Sequence, residues 1–288
     1  MNIKVFSSSV CTLGEGIYFD KVERELYWLD IVESKIYRKK INDLSDEYEV
    51  FSIGTMPSTV LSVESGVITF LDKIGICTYD TASNKLFTLY KTPYPDAEGY
   101  RGNDATILND GTVLFGTMYR NPNKKKGNLY HLTSHSIFEI EDVYFNIPNT
   151  FIELDNTILI SDSLEQRIYS VNKNFKSKVI KTLWKDYSEE MFTPDGGCVD
   201  IYGNIYISMW DGFCVSVFDN TAKQKYKIEL PVPRPTNCVL VDERWLYVTT
   251  ARDGLSEEQI RQYPLSGKVF VIDLEVVNGL WAFSKHCN

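Results

Sequence analysis

Histidine is scarce in this chain, and the short signatures of several enzyme classes do not occur. Only three histidines are present, His131, His135 and His286, and none lies in the repeated motif described below. A multi-histidine zinc site and a Ser-His-Asp triad are therefore disfavoured. The sequence also has no Gly-x-Ser-x-Gly elbow, no Walker loop and no Gly-x-Gly-x-x-Gly turn, which argues against the hydrolase and nucleotide-binding folds that use them.

Basic residues are outnumbered, and long apolar runs are missing. The chain has 30 Lys and Arg against 39 Asp and Glu, a formal net charge of −9. Nucleic-acid binding needs a basic face, so we expect no nucleic-acid partner. The basic run at residues 124–126 is interpreted as a solvated loop. Because no apolar stretch approaches the ~20 residues that cross a bilayer and no export segment is visible, we expect a cytoplasmic protein with no membrane partner.

The cysteines lack the close spacing of metal or redox motifs. None of them forms a Cys-x-x-Cys pair, and several lie in strand-like runs. We interpret them as small buried apolar residues rather than disulfides. The six are Cys11, Cys77, Cys198, Cys214, Cys238 and Cys287.

A single motif recurs six times along the chain. Each copy starts with a polar or glycine-containing turn, runs into a strand-like segment, and is followed by a second strand-like segment. A period of roughly 41–46 residues built of short strands is typical of a β-propeller. We therefore predict an all-β protein in which residues 1–288 form one six-bladed propeller domain with four-stranded blades. The copies are marked by Glu15, Ser58, Asn103, Asn149, Asp195 and Thr236.

The chain ends and two irregular segments complete this prediction. The run at residues 3–6 is expected to supply the last strand of the last blade, so that pairing of the N- and C-terminal strands closes the ring. Fourth strands are fainter, and residues 48–52 and 225–228 are candidates. Segments 118–126 and 252–264 break the pattern and could overhang the channel mouth. The second could hold a short helix at 255–260 with Ser256 as its N-cap.

Most copies of the motif carry an oxygen-bearing side chain at the same place. Glu15 and Asp195 supply carboxylates, while Asn103 and Asn149 supply amides. If the repeats are blades, these side chains converge at one mouth of the central channel. Two carboxylates and two neutral oxygens suit a hard divalent cation such as Ca²⁺, Mg²⁺ or Mn²⁺. Local turn hydrogen bonds made by Asp and Asn before a strand are the alternative explanation.

An arginine precedes one copy of the motif. Alternate residues of a strand share a face, so Arg101 and Asn103 are expected to reach the same cavity. An arginine there could bind the hydroxyls or the carboxylate of a substrate. A surface arginine with no such role is the alternative.

Taken together, these motifs resemble the SMP-30/gluconolactonase/LRE-like family, also called regucalcin-like. The resemblance runs from Leu13 to about Gly279. The stretches that carry it are Leu13-Gly14-Glu15-Gly16, Leu26-Tyr27-Trp28-Leu29-Asp30, Arg101-Gly102-Asn103-Asp104, Gly116-Thr117-Met118, Pro148-Asn149, Ser161-Asp162-Ser163, Pro194-Asp195-Gly196, Leu230-Pro231-Val232 and Tyr247-Val248-Thr249-Thr250-Ala251-Arg252.

The resemblance implies a six-bladed propeller with one divalent cation in its channel. It assigns Glu15, Asn149 and Asp195 as metal ligands, Arg101 and Asn103 as substrate contacts, and Asp195 also as the general base. Because binding a cation lowers the basicity of a carboxylate, we keep Asp104 as a second candidate for the base. The implied cofactor is Ca²⁺, with Mg²⁺, Mn²⁺ or Zn²⁺ as alternatives. The implied activity is hydrolysis of a small-molecule lactone, of the sugar type, by a monomer or weak homo-oligomer.

Three positions depart from the family pattern. Ile17 replaces a usual proline, Thr150 replaces a usual glycine, and the Tyr119-Arg120-Asn121 loop lacks an acidic substrate contact common in sugar lactonases. Two rival functions stay open: a metal-dependent esterase or phosphotriesterase-like hydrolase, and a non-catalytic divalent-cation-binding regulatory propeller.

Overall fold

Six antiparallel sheets of four strands are arranged as a six-bladed β-propeller, as predicted. A computed structural model of the chain describes residues 3–43, 45–94, 99–134, 136–175 and 178–275. The strands are β1 (Ile3–Ser7), β2 (Gly14–Asp20), β3 (Glu25–Asp30), β4 (Lys35–Lys40), β5 (Glu49–Ser52), β6 (Thr59–Glu64), β7 (Val67–Asp72), β8 (Gly75–Asp80), β9 (Lys85–Lys91), β10 (Tyr100–Ile107), β11 (Val113–Tyr119), β12 (Gly127–Leu132), β13 (Ile137–Phe145), β14 (Pro148–Glu153), β15 (Thr157–Asp162), β16 (Arg167–Asn172), β17 (Lys181–Asp186), β18 (Thr193–Val199), β19 (Ile205–Trp210), β20 (Cys214–Phe218), β21 (Gln224–Glu229), β22 (Pro235–Val241), β23 (Trp245–Thr250) and β24 (Val269–Asp273).

Five blades are built from four consecutive strands, and the sixth joins the two ends of the chain. Its strand order is β1-β24-β23-β22, and Ile3 pairs with Ile272 and Val5 with Phe270. The prediction that an N-terminal strand closes the ring is therefore confirmed. The pairing of β1 with β24 thus ties the two ends of the chain together within one blade.

Burial follows the position of each strand within its blade. In the first blade β3 is buried along its whole length, whereas the outer strand β5 is mostly exposed. Apolar residues of neighbouring blades interlock to form the core, for example Leu29 and Ile36 of one blade with Phe70 of the next. The two predicted fourth strands are present as β5 and β21.

The irregular segment near the end of the chain holds a short helix, α1 (Glu257–Gln262). Ser256 is its N-cap, and the Ser256 and Gln259 side chains form a reciprocal capping box. The helix thus begins two residues later than the predicted 255–260, at the cap that the sequence indicated. In the part of the chain that the structure describes, no helix is long and apolar enough to cross a membrane.

The described cysteines support their interpretation as core residues. Cys11, Cys77, Cys214 and Cys238 are buried, Cys198 is partly buried, and all five are free thiols. Cys287, like His135 and His286, lies outside the described residues.

Candidate metal and substrate site

One cavity of about 360 Å³ opens where the inner strands of several blades begin. All five candidate site residues lie in its wall: Glu15, Arg101, Asn103, Asn149 and Asp195. Residues 86 or more positions apart in the chain, such as Arg101 and Glu15 or Asp195 and Arg101, are thereby brought to one place. The propeller brings them together because each inner strand starts at the same end of the molecule.

A β-bulge interrupts the inner strand of every blade at this level. The register shifts in β2, β6, β10, β14, β18 and β22. Glu15 and Asn149 are the last paired residues before the shift, whereas Asn103 and Asp195 lie inside it. The four residues thus occupy similar but not identical positions in the hydrogen-bonding register of their strands. β-Bulges change the direction in which side chains point. Here they occur next to the polar side chains that line the cavity.

The two asparagines are joined by a hydrogen bond between blades. Asn103 Nδ2 donates to Asn149 Oδ1 at 2.8 Å and to the Pro148 carbonyl at 2.9 Å. Asn149 Nδ2 in turn donates to Ser163 Oγ at 2.9 Å, and Ser163 Oγ donates to the Pro194 carbonyl at 2.7 Å. This chain of bonds holds Asn149 by its amide nitrogen. The second lone pair of Oδ1 is left to bind a ligand.

Thr150, which stands where the family pattern has glycine, adopts a backbone conformation that glycine would favour. Its backbone has φ +82°, a region that β-branched residues rarely adopt. Thr150 Oγ1 donates to the Asp195 carbonyl at 2.6 Å and lies 3.0 Å from Ser161 Oγ. A strained residue thus ties the blade of Asn149 to the blade of Asp195.

Four carboxylates lie in or beneath the cavity, and burial disfavours the charged form of three of them, Glu15, Asp104 and Asp195. Burial and then the charge of Asp104 raise the pKa of Glu15 to about 8. Burial raises the pKa of Asp195 well above its ordinary value, and the charges of Glu15 and Asp104 raise it further. Burial raises the pKa of Asp104 to about 6.

Arg101 is the positive group among these acids. Burial lowers its pKa to about 10, while the charges of Glu15, Asp195 and Asp253 oppose that shift. The carboxylates of Glu15, Asp104, Asp195 and Asp253 outnumber the single guanidinium of Arg101. One divalent cation would offset most of that negative excess.

Asp104 differs from the other candidates in its position. It does not line the cavity, and its Oδ1 accepts bonds from the Thr59 hydroxyl at 3.1 Å and the Ala105 amide at 2.8 Å. This carboxylate is therefore held by Thr59 beneath the residues that line the cavity.

The donor set of the cavity fits a hard cation. Carboxylate oxygens of Glu15 and Asp195 and Oδ1 of Asn149 are ligands that Ca²⁺ and Mg²⁺ prefer. Within the described ranges no group of three or more His, Cys, Asp or Glu side chains could hold a metal. The set of Glu15, Asn149 and Asp195 is not such a group, because one of its three members is the amide of Asn149.

The cavity also contains residues that sequence reasoning did not select. Ser163 directly follows β15, Trp210 is the last residue of β19, and Asp253 comes from the irregular segment after β23. Met118 and Asp253 show that both irregular segments reach the cavity, whereas Tyr119, Arg120 and Asn121 are not among its lining residues.

Asn237 is a further omission, although the sixth motif copy contains it. Asn237 Nδ2 lies 3.4 Å from Glu15 Oε2, and Asn237 Oδ1 accepts from the Cys238 amide at 2.8 Å. A Cβ on Gly196 would come within 2.3 Å of the Asn237 side chain, so only glycine fits beside Asp195. The sequence marker had been Thr236, which instead bonds the Gly14 carbonyl at 2.5 Å.

Residues 13–252 match the model of the SMP-30/Gluconolactonase/LRE-like region. The chain belongs to this family. Regucalcin of Gallus gallus is 27% identical over 295 residues, which cover 97% of each chain. A calcium-binding protein, regucalcin, of Agrobacterium tumefaciens shares the fold with a TM-score of 0.84 at 22% identity, over 93% of this chain and 92% of that one. A Xanthomonas campestris gluconolactonase shares it with a TM-score of 0.74 at 16% identity, over 94% and 89%.

Proposed function

We propose that this protein is a lactonase that needs one divalent cation, with Ca²⁺ as the expected ion. The observation that carries the proposal is the meeting of Glu15, Asn149 and Asp195 with Arg101 and Asn103 in one cavity. A site that only stored a cation would have no use for a guanidinium beside its acidic ligands. Membership of a family that includes gluconolactonases supports the same reaction class.

Glu15, Asn149 and Asp195 are the residues that would hold the cation. The bonds from Asn103 and to Ser163 fix the Asn149 amide in one orientation. The Glu15 carboxylate is held by the Gly16 amide at 3.0 Å and by Asn237. When bound, the cation would supply Lewis-acid polarisation of the lactone carbonyl and stabilise its oxyanion.

Asp195 is the group best placed to act as general base. It lines the cavity, where its carboxylate would take a proton from the attacking water. Water oxygen then bonds to the carbonyl carbon, the ring C–O bond breaks, and the proton returns from Asp195 to the departing alkoxide. The product is the open-chain hydroxy acid. Asp104 is a weaker candidate because it lies under the floor and already accepts from Thr59.

Arg101 and Asn103 would position the substrate. Arg101 lies in the cavity wall, and its Nη1 donates to the Gly102 carbonyl at 2.9 Å. It can bind the ring oxygens of the substrate and the carboxylate of the product. The amide nitrogen of Asn103 donates a hydrogen bond to Asn149. The same side chain would therefore contact the substrate and orient Asn149, a residue that would bind the cation.

A metal-reconstituted lactone panel tests this proposal. The protein would be stripped of metal, loaded separately with Ca²⁺, Mg²⁺, Mn²⁺ and Zn²⁺, and assayed by pH-stat against γ- and δ-lactones. We expect Asp195→Asn to abolish hydrolysis and Asp155→Asn, an exposed turn residue, to leave it unchanged. Activity of the Asp195→Asn variant near that of the wild type would exclude Asp195 as the base.

The rival functions give different results in the same assay. A phosphotriesterase-like enzyme would hydrolyse organophosphate esters faster than any lactone. A regulatory cation-binding propeller is favoured by the neighbour described as a calcium-binding protein. It would bind the cation and remain inactive on the whole panel with every metal.

A further inference from the structure

A second depression of about 300 Å³ adjoins the cavity on one side. The two share Ser163, Leu164, Thr193 and Trp210, so they form one continuous space. Met191 and Phe192 extend the wall outward from the shared residues. We call this extension the side groove.

The polar side chains of the side groove already have partners within the chain. Ser163 Oγ donates to the Pro194 carbonyl, and Thr193 Oγ1 donates to the Ser163 carbonyl. The Gln166 amide donates to the carbonyls of Glu190 and Phe192, both at 2.9 Å. Asp211 pairs with Arg234 at 2.7 Å. A hydroxylated substituent that entered the groove would lose its hydrogen bonds to water, and few side chains there would be free to replace them.

The apolar side chains, in contrast, are open. Met191 is 93% exposed and Leu164 is 39% exposed, although both border a cavity where apolar surface could be covered. Trp210 is fixed in place because the Arg234 guanidinium lies 4.8 Å from its ring centroid. Phe192 is held by the Tyr187 ring at 5.3 Å. The groove thus has one apolar side, in which Trp210 and Phe192 are held by packing and Met191 is a movable edge.

We propose that the side groove binds an apolar alkyl or aryl substituent of the lactone, so that the substrates are alkyl- or aryl-substituted lactones rather than polyhydroxylated sugar lactones. This inference rests on the proposed function, because the ring itself must lie at Glu15, Asn149 and Asp195 for its substituent to reach Leu164. The absence of an acidic residue from the 119–121 loop is consistent with it.

A series of δ-lactones with growing side chains tests the inference. The series is δ-valerolactone, δ-hexalactone, δ-octalactone and δ-decalactone, with glucono-δ-lactone as the hydroxylated comparison. We expect kcat/KM to rise by up to about fourfold for each methylene that the groove covers, and glucono-δ-lactone to be the poorest substrate.

Substitution at the edge of the groove locates the effect. Met191→Asp should reduce the ratio of kcat/KM for δ-decalactone over δ-valerolactone at least tenfold, because the carboxylate would have to lose water beside the alkyl chain. Ile201→Asp is the matched control. Ile201 is 73% exposed in the turn at the far end of β18, and this variant should keep the wild-type ratio.

The outcomes separate this inference from the proposal on which it rests. A wild-type ratio of one or less, with glucono-δ-lactone hydrolysed fastest, would overturn the apolar substituent while leaving the lactonase intact. A high ratio that Met191→Asp does not change would place the substituent elsewhere and overturn the groove assignment. Inactivity toward every lactone with every metal would overturn both.

Discussion

Asn103 Nδ2 donates a hydrogen bond to Asn149 Oδ1 at 2.8 Å, across the boundary between two blades. The residue expected to contact substrate therefore also orients a residue expected to bind the cation. Residues that hydrogen-bond to a metal ligand commonly fix the orientation of that ligand.

The first prediction concerns this bond. Asn103→Leu keeps the size of the side chain but removes the donor, so Asn149 can turn away. We expect cation affinity to fall by about 10–100-fold, measured by calorimetric titration of the metal-free protein. Asn156→Leu, in an exposed turn after β14, is the control. Unchanged affinity in Asn103→Leu would mean that Asn149 needs no orienting partner.

The second prediction concerns Thr150. Thr150→Val keeps the β-branch at φ +82° and removes the hydroxyl that bonds the Asp195 carbonyl. The buried carbonyl loses its partner, so we expect the free energy of unfolding to fall by about 1–3 kcal/mol. Urea denaturation measures this change. Thr150→Ser retains the hydroxyl and should stay close to the wild type, and equal loss in both variants would contradict the role given to the bond.

The third prediction is that metal-free protein loses stability as pH rises from about 5 to 8. Burial raises the folded-state pKa of Glu15 to about 8 and of Asp104 to about 6, above the ordinary values of roughly 4. In this window the folded protein holds protons that the unfolded chain has released, so raising the pH favours unfolding.

Thermal denaturation at several pH values checks this. We expect Tm of the metal-free protein to fall by several degrees between pH 5 and 8, and Ca²⁺ to cancel more of the loss at higher pH, because binding requires the deprotonated acids. Glu15→Gln should flatten the dependence. If the Tm of the metal-free protein rises over this pH range, the folded-state pKa values of these carboxylates are not raised, and the prediction is wrong.

The fourth prediction concerns the contact of Gly196 with Asn237. A methyl group at Gly196 would overlap the Asn237 side chain, which lies beside Glu15. We expect Gly196→Ala to destabilise the protein by about 1–3 kcal/mol and to weaken cation binding. Because Asn237→Ala makes room, the double variant should lose less than the sum of the two single losses. Simple additivity would show that the alanine clashes elsewhere.

The repeat made most of the fold predictable. Regular spacing of strand runs set the number of blades, and the N-terminal run at residues 3–6 indicated ring closure, which the pairing of Ile3 with Ile272 confirms. The start of α1 was less predictable. Ser256 was recognised as a cap, but helix ends depend on hydrogen bonds that periodicity does not encode.

The site was predictable only where the motif itself carried the signal. Glu15, Asn149 and Asp195 stand at the start of motif copies, so their convergence followed from the propeller. Trp210 and Asp253 reach the cavity from other strands and loops, and their place depends on how the blades twist and pack. Asn237, which lies beside Glu15, is one residue away from the motif marker Thr236. Both fall within the register shift of β22, where simple alternation along a strand does not predict which side chain faces which way.

The most direct test of the central claim is an anomalous difference map from crystals of the protein grown with Mn²⁺. The account predicts one peak within roughly 2.0–2.6 Å of carboxylate oxygens of Glu15 and Asp195 and of Asn149 Oδ1, lost in Glu15→Gln. A fully active protein with no peak among these three residues, or with its metal bound elsewhere, would contradict it.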